Sequence, residues 1–246
     1  MRHKTLAAAL LLLTAASAVA AQTPQPQPAP QQQPPPVPKS SPTPAPSPTP
    51  SPQAQPPAPK PLDPEAKRKY DAMLEAAKKS EGAVDYKALR FAYFETPDYN
   101  PLTGMMNYRG LWGLVMQQKW AEAAQQAEAV LARNYVDINA HMVAFIAHRQ
   151  QGDAEKAALH RRWADGLLAS VKSGGDGKSP ATAWEVISIS EEYAVIRSMN
   201  LRAAGQSLLN ENNHAYDVLK VVDPQTNAQF SLYFNVDKPF SAYGRK

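Results

Sequence analysis

The apolar pattern of this chain changes its period once, near Gly177, and this change limits the fold more than any other feature. Between about residues 106 and 171, apolar side chains recur every three to four positions, which is typical of amphipathic helices. Residues 228–236 instead alternate, with Phe230 and Leu232 separated by single polar positions, which is typical of a half-buried strand. The sequence therefore predicts an α+β fold in which helices pack on a small C-terminal antiparallel β-sheet.

Several local signals place the helices. Asp63-Pro64-Glu65 is a helix-start pattern, and we expect a helix from there to about Lys79. Asp85 and Asp137 are expected to cap two further helices, because a short acidic side chain satisfies free N–H groups in a first turn. Residues 96–101 contain two prolines and end the helix that Asp85 begins.

The middle of the chain carries a weak internal repeat. Residues 120–124 align with residues 154–158 at a spacing of 34, and both segments are rich in alanine, which lets paired helices approach closely. This period resembles tetratricopeptide repeats, but only about one and a half units are visible, so they must pack on something else. We therefore expect one domain over residues 63–246, with a helical part at 63–173 and a β part at 174–246.

The β part is predicted from three short segments. Residues 184–189 are expected to form a short strand, and Ser190 to start a helix. Residues 215–222 and 228–236 are expected to form a hairpin around the loop 223–227, which contains proline and asparagine. Matching the apolar faces sets Val222 opposite Ala228, Val218 opposite Leu232, and Asp217 opposite Tyr233.

The N-terminal quarter is expected to lie outside this domain. Basic residues 2–4, an apolar run at 6–13 and small residues up to Ala21 predict a signal peptide at 1–21, with an uncleaved anchor as the alternative. Proline then occupies nearly every second position of residues 22–62, which predicts an extended spacer; a proline-rich ligand is the alternative. We expect the protein to be exported, periplasmic or secreted, with no membrane span after signal cleavage.

Charge and cysteine content exclude several classes of function. The net charge is +4, but residues 1–62 hold four basic residues and no acidic one; removing these four from 26 leaves 22, equal to the 22 acidic residues. The domain is therefore neutral, and we expect no nucleic-acid partner. The chain has no cysteine, so disulfides, thiol nucleophiles and thiolate metal sites are excluded.

Six motifs carry a resemblance to a known family. They are Leu89-Arg90-Phe91-Ala92-Tyr93, Tyr99-Asn100-Pro101, residues 134–141 (NYVDINAH), residues 175–180 (GDGKSP), residues 186–193 (VISISEEY) and residues 232–237 (LYFNVD). In this order they resemble a family of exported bacterial proteins catalogued only as a domain of unknown function, over about residues 86–240. The resemblance implies a tetratricopeptide-like helical part joined to a β part, and it implies no activity.

Three groups of residues invite a chemical interpretation that their spacing does not favour. Gly177-Lys178-Ser179 lacks the earlier glycine of a phosphate-binding loop, so a tight turn is expected there. His141 and His148 share a helix face but stand seven residues apart, too far to hold one metal, and His160 lies on the next helix. These histidines are expected to pack or to donate to carbonyls. Glu191 and Glu192 are expected to be first-turn acids that favour the helix dipole. We therefore expect no metal and no cofactor.

Polar residues of the predicted hairpin form the strongest catalytic candidate. In the expected register Asp217, Tyr233 and Asn235 share one face, and His214 and Asp237 lie near the strand ends. A histidine, a carboxylate and a phenol can perform acid–base chemistry, so His214, Asp217 and Tyr233 are weak catalytic candidates. The same residues also fit the solvated face that strand alternation requires.

Three functions remain open at this point. We expect first a non-catalytic interaction or scaffold module of the cell envelope, whose partner is an unidentified envelope protein or peptide. The second hypothesis is an envelope hydrolase that uses the polar face of the hairpin. The third is a small-ligand carrier with a pocket between Trp112, Trp120 and the sheet; Asn235 and Asp237 are further candidate binding residues.

Overall fold

Six of the described helices precede the first strand, and the other two lie among or after the strands. The computed structural model describes residues 63–80 and 83–242, so the predicted signal peptide and spacer lie outside the described residues. The helices are α1 (Pro64–Lys79), α2 (Tyr86–Phe94), α3 (Thr103–Met116), α4 (Trp120–Leu131), α5 (Ile138–Gln150), α6 (Ala154–Lys172), α7 (Ile189–Ser198) and α8 (Asp237–Ala242). The strands are β1 (Trp184–Glu185), β2 (Arg202–Glu211), β3 (His214–Val222) and β4 (Gln229–Asn235), and a short 3₁₀ turn lies at Pro180–Thr182. This confirms the α+β fold class.

Aspartates begin four of the helices, as local chemistry demands. The side chains of Asp63, Asp85, Asp137 and Asp153 each accept a hydrogen bond from a backbone N–H two or three residues later, at 2.9–3.1 Å. Each such cap contributes about 1 kcal/mol, because it satisfies a donor that the helix itself leaves free. The predicted caps at Asp63, Asp85 and Asp137 are confirmed.

Gly177 forms the predicted tight turn between the helices and the sheet. Its φ is +70°, in the left-handed region, and a Cβ there would lie 2.8 Å from the indole ring of Trp184. Both conditions require glycine, because any side chain would be strained and would meet the ring. The turn precedes Pro180–Thr182 rather than a long helix, so it does not have the structure of a phosphate-binding loop.

The four strands form one sheet in the order β1-β4-β3-β2. The pairs β2–β3 and β3–β4 are antiparallel, whereas β1 runs parallel to β4, with Trp184 opposite Phe234. The sheet is therefore mixed and differs in this respect from the wholly antiparallel sheet that the sequence predicted. Strand β1 is also shorter than predicted, because the chain turns into α7 at Ile189.

The predicted register of the β3–β4 hairpin was wrong by one residue. Val218 lies opposite Tyr233, and Asp217 lies opposite Phe234. The prediction aligned apolar faces, but β3 is buried on both faces: Asp217, Val218 and Leu219 are consecutive and all buried. The apolar pattern of β3 therefore does not specify one register, and the shift moves Asp217 to the other face of the sheet.

Strand β2 was not predicted. It joins β3 through Asn212 and Asn213, whose φ values of 52° and 64° are those of a two-residue type I′ turn. The sequence does not predict this strand, because most of its residues are exposed and its apolar residues do not alternate with polar ones. The Asn-Asn pair was the signal that could have revealed it, since asparagine tolerates the left-handed conformation.

Two clusters of apolar residues form the core. The larger one joins α1, α2, α6 and α7 to the inner face of the sheet, and includes Trp163 and Phe234, both almost wholly buried. The second joins α3, α4 and α5, and much of it is alanine with no exposed surface: Ala123, Ala127, Ala140, Ala144 and Ala147. Small side chains let the backbones of α4 and α5 approach closely, as the alanine-rich segments of the sequence predict.

A buried ion pair joins the helical part to α7. Arg90 donates from Nε and Nη2 to the two carboxylate oxygens of Glu191, at 2.8 and 2.6 Å. Arg90 also donates to the carbonyl of Glu185, and Glu191 accepts from the backbone N–H of Ile187. Glu191 does stand in the first turn of α7, as predicted, but it is an internal partner rather than a surface acid. Within the described residues, no helix is both long and apolar enough to cross a membrane.

Candidate functional site

A polar cleft of about 400 Å³ lies at the end of the sheet where β3 begins and β4 ends. Asp237 is fixed in its wall: its Oδ2 lies 2.6 Å from His214 Nδ1, and its Oδ1 accepts from the backbone N–H of Ala215 at 2.8 Å. Asn235 also donates to Asp237 Oδ2. The structure thus brings together three of the sequence candidates, His214, Asn235 and Asp237, and adds Tyr216 to the same lining.

His214 and Asp237 can hold and transfer a proton in this cleft, and among the described residues that line it Ser170 is the only serine or threonine. His214 Nδ1–H donates to Asp237, which leaves Nε2 as an acceptor on a half-exposed ring. Ser170 on the opposite wall is already committed, because its hydroxyl donates to Leu167 O and accepts from Arg90. The cleft therefore fits polar recognition, or general-base chemistry on a water, better than covalent catalysis.

Asp217 does not belong to this cleft, so the predicted trio does not converge. Because its partner in β4 is Phe234, its side chain lies on the buried face of the sheet, whereas Tyr233 and Asn235 occupy the other face. Gln206 of β2 donates to Asp217 Oδ2 at 2.7 Å. The assignment of His214, Asp217 and Tyr233 to one face was wrong, because it depended on the shifted register.

Asp217 instead pairs with Glu192 of α7 inside the core. Burial raises the pKa of Glu192 well above its usual value, and burial also raises the pKa of Asp217. Among the described residues, neither oxygen of an ionised Glu192 would receive a hydrogen bond. Glu192 is therefore stable as the neutral acid, which donates its proton to the Asp217 carboxylate, so the pair holds one proton.

The two tryptophans proposed for a ligand pocket occupy different environments. Trp112 in α3 is buried; its Nε1 donates to Asn139 Oδ1 at 3.1 Å, and the guanidinium of Arg197 lies 3.8 Å from the centre of its ring. Trp120 is half-buried at the first residue of α4. The Trp112 ring is thus covered by protein groups, and the carrier hypothesis stays a prediction.

Strand β2 forms a free edge of the sheet. It pairs with β3 on one side and is last in the strand order. Residues 203–210 contain no charged residue and no proline, and Leu208 is 51% exposed. A register irregularity lies between Ala203 and Gly205, and the pairing from Gly205 to Glu211 is regular. Edge strands usually carry charges or proline that block pairing with another chain. Among the described residues no further strand covers this edge, and the charged residues of β2, Arg202 and Glu211, lie only at its two ends.

A cluster of imidazoles and one carboxylate lies among α4, α5 and α6. His141 Nε2 donates to the carbonyl of Tyr135 at 2.9 Å, which confirms the predicted role of carbonyl donor, and burial lowers the pKa of His141 to about 3. Glu128, His148 and His160 each offer one ligand atom, and these atoms lie within 4.8 Å of one another. The spacing of histidines along the sequence does not reveal this set, because its three members come from three different helices and one of them is Glu128.

These features define a class of protein: an α+β domain in which helices pack on a mixed sheet, with a polar cleft and an edge strand at the sheet. A family model described as "Domain of unknown function (DUF4919)" matches residues 67–245. The chain therefore belongs to this family. Comparison with curated proteins and with solved structures gave no match.

Proposed function

We propose that this protein is a non-catalytic interaction module of the bacterial cell envelope, and that β2 binds an extended segment of an envelope protein as an added strand. The free edge of β2 carries the proposal. Every second residue of an edge strand directs its N–H and C=O away from the sheet, and these groups can pair with another strand.

The length and composition of β2 suit this role. The regular segment Gly205–Glu211 is as long as a typical strand of five to six residues, so a partner can form a full ladder. Leu208 supplies an exposed apolar side chain for the partner to cover. The backbone ladder would provide affinity, and side chains such as Leu208 would provide selectivity.

The helical part is proposed to be tetratricopeptide-like. Helix α4 begins at Trp120 and α6 begins at Ala154, 34 positions later, with α5 between them. This spacing equals the period of tetratricopeptide units. The helices would then serve as a rigid support, because a strand presented for pairing loses less entropy on binding when its scaffold is already ordered.

The envelope location is supported by the sequence before the domain. The signal-peptide pattern at residues 1–21 supports export, and residues 22–62 in polyproline geometry would reach on the order of 120 Å at about 3.1 Å per residue. A spacer of that reach suits a module that must find its partner at a distance. The neutral charge of residues 63–246 argues against a nucleic-acid partner.

A position-specific crosslinking experiment tests this proposal. A photo-activated aromatic amino acid replaces Leu208 on β2 in the full chain, expressed in its own bacterium; the control carries it at Met116, which is 80% exposed at the end of α3. We expect a discrete adduct from position 208 that position 116 does not give. A second change, Asn210→Pro, should remove this adduct while the domain stays folded, because the N–H of residue 210 lies on the free side of β2 and not in the ladder with β3. The same adducts from both positions, or none from position 208, would refute strand addition.

The hydrolase hypothesis keeps one specific observation in its favour. His214 and Asp237 form a dyad at 2.6 Å in an open cleft, and such a dyad can activate a water. The test is hydrolysis of fluorogenic esters, amides and glycosides by the full chain and by His214→Gln. Turnover that is lost in His214→Gln would replace the interaction proposal by an enzymatic one; equal background rates would exclude the hydrolase.

A further inference from the structure

We infer that Glu128, His148 and His160 form a binding site for a divalent metal ion of the zinc type. The three residues come from three successive helices, α4, α5 and α6, so the site depends on the tertiary fold rather than on a sequence motif. This inference is independent of the proposed strand addition, because it concerns residues of α4, α5 and α6 and none of β2.

The distances suit one ion. Glu128 Oε1 lies 3.0 Å from His160 Nε2 and 3.4 Å from His148 Nε2. An ion bound at about 2.0–2.1 Å from each ligand in tetrahedral geometry separates its ligand atoms by roughly 3.3–3.4 Å. The Glu128 oxygen therefore stands close to the spacing that a tetrahedral ion requires from both imidazoles, and all three atoms lie within 4.8 Å of one another.

The hydrogen bonds around the cluster leave lone pairs aimed at one point. His141 Nε2 must donate, because its partner is the Tyr135 carbonyl; a neutral His141 therefore accepts at Nδ1 from His160 Nδ1, 3.1 Å away. A neutral His160 then presents the bare Nε2 to the Glu128 carboxylate. His148 Nε2 is buried and has no hydrogen-bond partner. One cation between them would satisfy this carboxylate oxygen and both imidazole nitrogens together.

The outer contacts are those of a metal site. His160 is oriented through its second nitrogen by His141, and His148 Nδ1 lies 3.7 Å from Asp153 Oδ2. Metal-binding histidines generally direct their other ring nitrogen to such a partner, which fixes the ring. Two imidazoles and one carboxylate favour zinc and its first-row neighbours over calcium and magnesium, which prefer oxygen ligands.

Solvent reaches the site through Glu128. Its side chain is 47% exposed, and it lines a cleft of about 550 Å³ together with Leu131, Arg133 and Tyr135. An ion can therefore enter without unfolding the domain. Three protein ligands leave a fourth position, which water or a ligand in the cleft can fill.

Metal titration of the full chain tests the inference. After dialysis against a chelator, Co²⁺ is added and visible absorption is followed, and Zn²⁺ affinity is obtained by competition. We expect the wild type to bind one equivalent of metal. Loss of a residue that only orients a ligand lowers metal affinity by roughly 10–100-fold. Glu128→Gln and His148→Gln each remove a ligand, so each should lower the affinity by more than this. His214→Gln is the matched control, since it removes a histidine beside a carboxylate elsewhere, and it should keep wild-type affinity.

Two further measurements keep the test decisive. Circular dichroism of the metal-free variants shows whether they fold, and both should, because Glu128 is half exposed and His148 Nε2 makes no hydrogen bond. X-ray absorption of the zinc-loaded wild type does not depend on any variant and should show two imidazole ligands. Equal affinity in wild type and in both variants, loss of binding in His214→Gln alone, or a zinc spectrum without imidazole would overturn the inference.

Discussion

Replacing Glu192 with glutamine tests whether the buried acid pair holds a proton. Glutamine keeps the size of the side chain and offers an N–H donor to Asp217 in place of the acidic O–H. In the wild type, burial raises the native pKa of Glu192 well above its usual value of 4.5. The folded protein thus keeps a proton that the unfolded chain releases above about pH 4.5.

The sign and size of the effect follow from proton linkage. Because the native state binds the extra proton, the free energy of unfolding of the wild type falls as pH rises from the unfolded pKa to the native pKa. The slope is about 1.4 kcal/mol for each pH unit in this window. Glu192→Gln has no such proton, so its stability relative to wild type should rise by about 1.4 kcal/mol per pH unit from the unfolded pKa up to the native pKa of Glu192, and then level off.

Urea denaturation of the full chain at pH 5, 6, 7 and 8 measures this difference. Glu155→Gln is the control, because it makes the same substitution at an exposed position on α6 and should show no trend with pH. At pH 5 the free energies of unfolding of Glu192→Gln and of the wild type should differ by less than about 1 kcal/mol, because the substitution only replaces one hydrogen bond by another. A difference that is constant across the four pH values would refute the shared proton.

Three further predictions concern stability and reach. Arg90→Met leaves the Glu191 carboxylate buried without its arginine partner. Urea denaturation should therefore show a free energy of unfolding lower than that of the wild type by about 3–5 kcal/mol. A decrease of less than about 1 kcal/mol would show that the ion pair is not required for stability. Gly177→Ala should lower the free energy of unfolding by about 1–3 kcal/mol, because residue 177 has a positive φ and the Trp184 ring lies beside it. Gly113→Ala on α3, where an added Cβ has no atom within 4 Å, should raise the free energy of unfolding by about 0.5–1 kcal/mol. Shifts of the melting temperature in the same direction for both variants would contradict this prediction. Scrambling residues 22–62 at constant proline content should leave both the melting temperature and the yield of crosslinked adduct unchanged. Deleting about 30 of these residues should lower the yield of adduct and leave the melting temperature unchanged. If scrambling abolishes the adduct, the segment itself is the ligand.

The helical part was predictable because its signals are local. An aspartate at a helix start, such as Asp85 or Asp137, satisfies N–H groups only two or three residues away, so the sequence contains both partners. The strand register was not predictable in the same way. Both faces of β3 are buried, so two registers fit its apolar pattern, and only the packing of α7 on one face selects between them.

The candidate sites also combine contacts that local sequence predicts with contacts that only the tertiary fold creates. His214, Asn235 and Asp237 meet because they stand at neighbouring strand ends, and this closeness was predictable from the hairpin. Arg90 and Glu191 are 101 residues apart, and their pairing requires the tertiary fold. An arginine between Leu89 and Phe91 on a helix was the available hint, since a charged residue in an apolar setting needs a buried partner.

The parallel pairing of β1 with β4 has a consequence for how the chain reaches its native state. Trp184 and Glu185 hydrogen-bond to residues near position 235, so β1 has no partner until β2, β3 and β4 have all been made. The ribosome synthesises the chain from its N-terminus, so Arg90 is made long before its partner Glu191. Likewise, the Gly177 carbonyl is made long before Tyr233, whose backbone N–H donates to it. Contacts this distant in sequence are slow to close. The domain is therefore expected to fold after its synthesis is nearly complete, in a single late step that leaves no separately stable helical half.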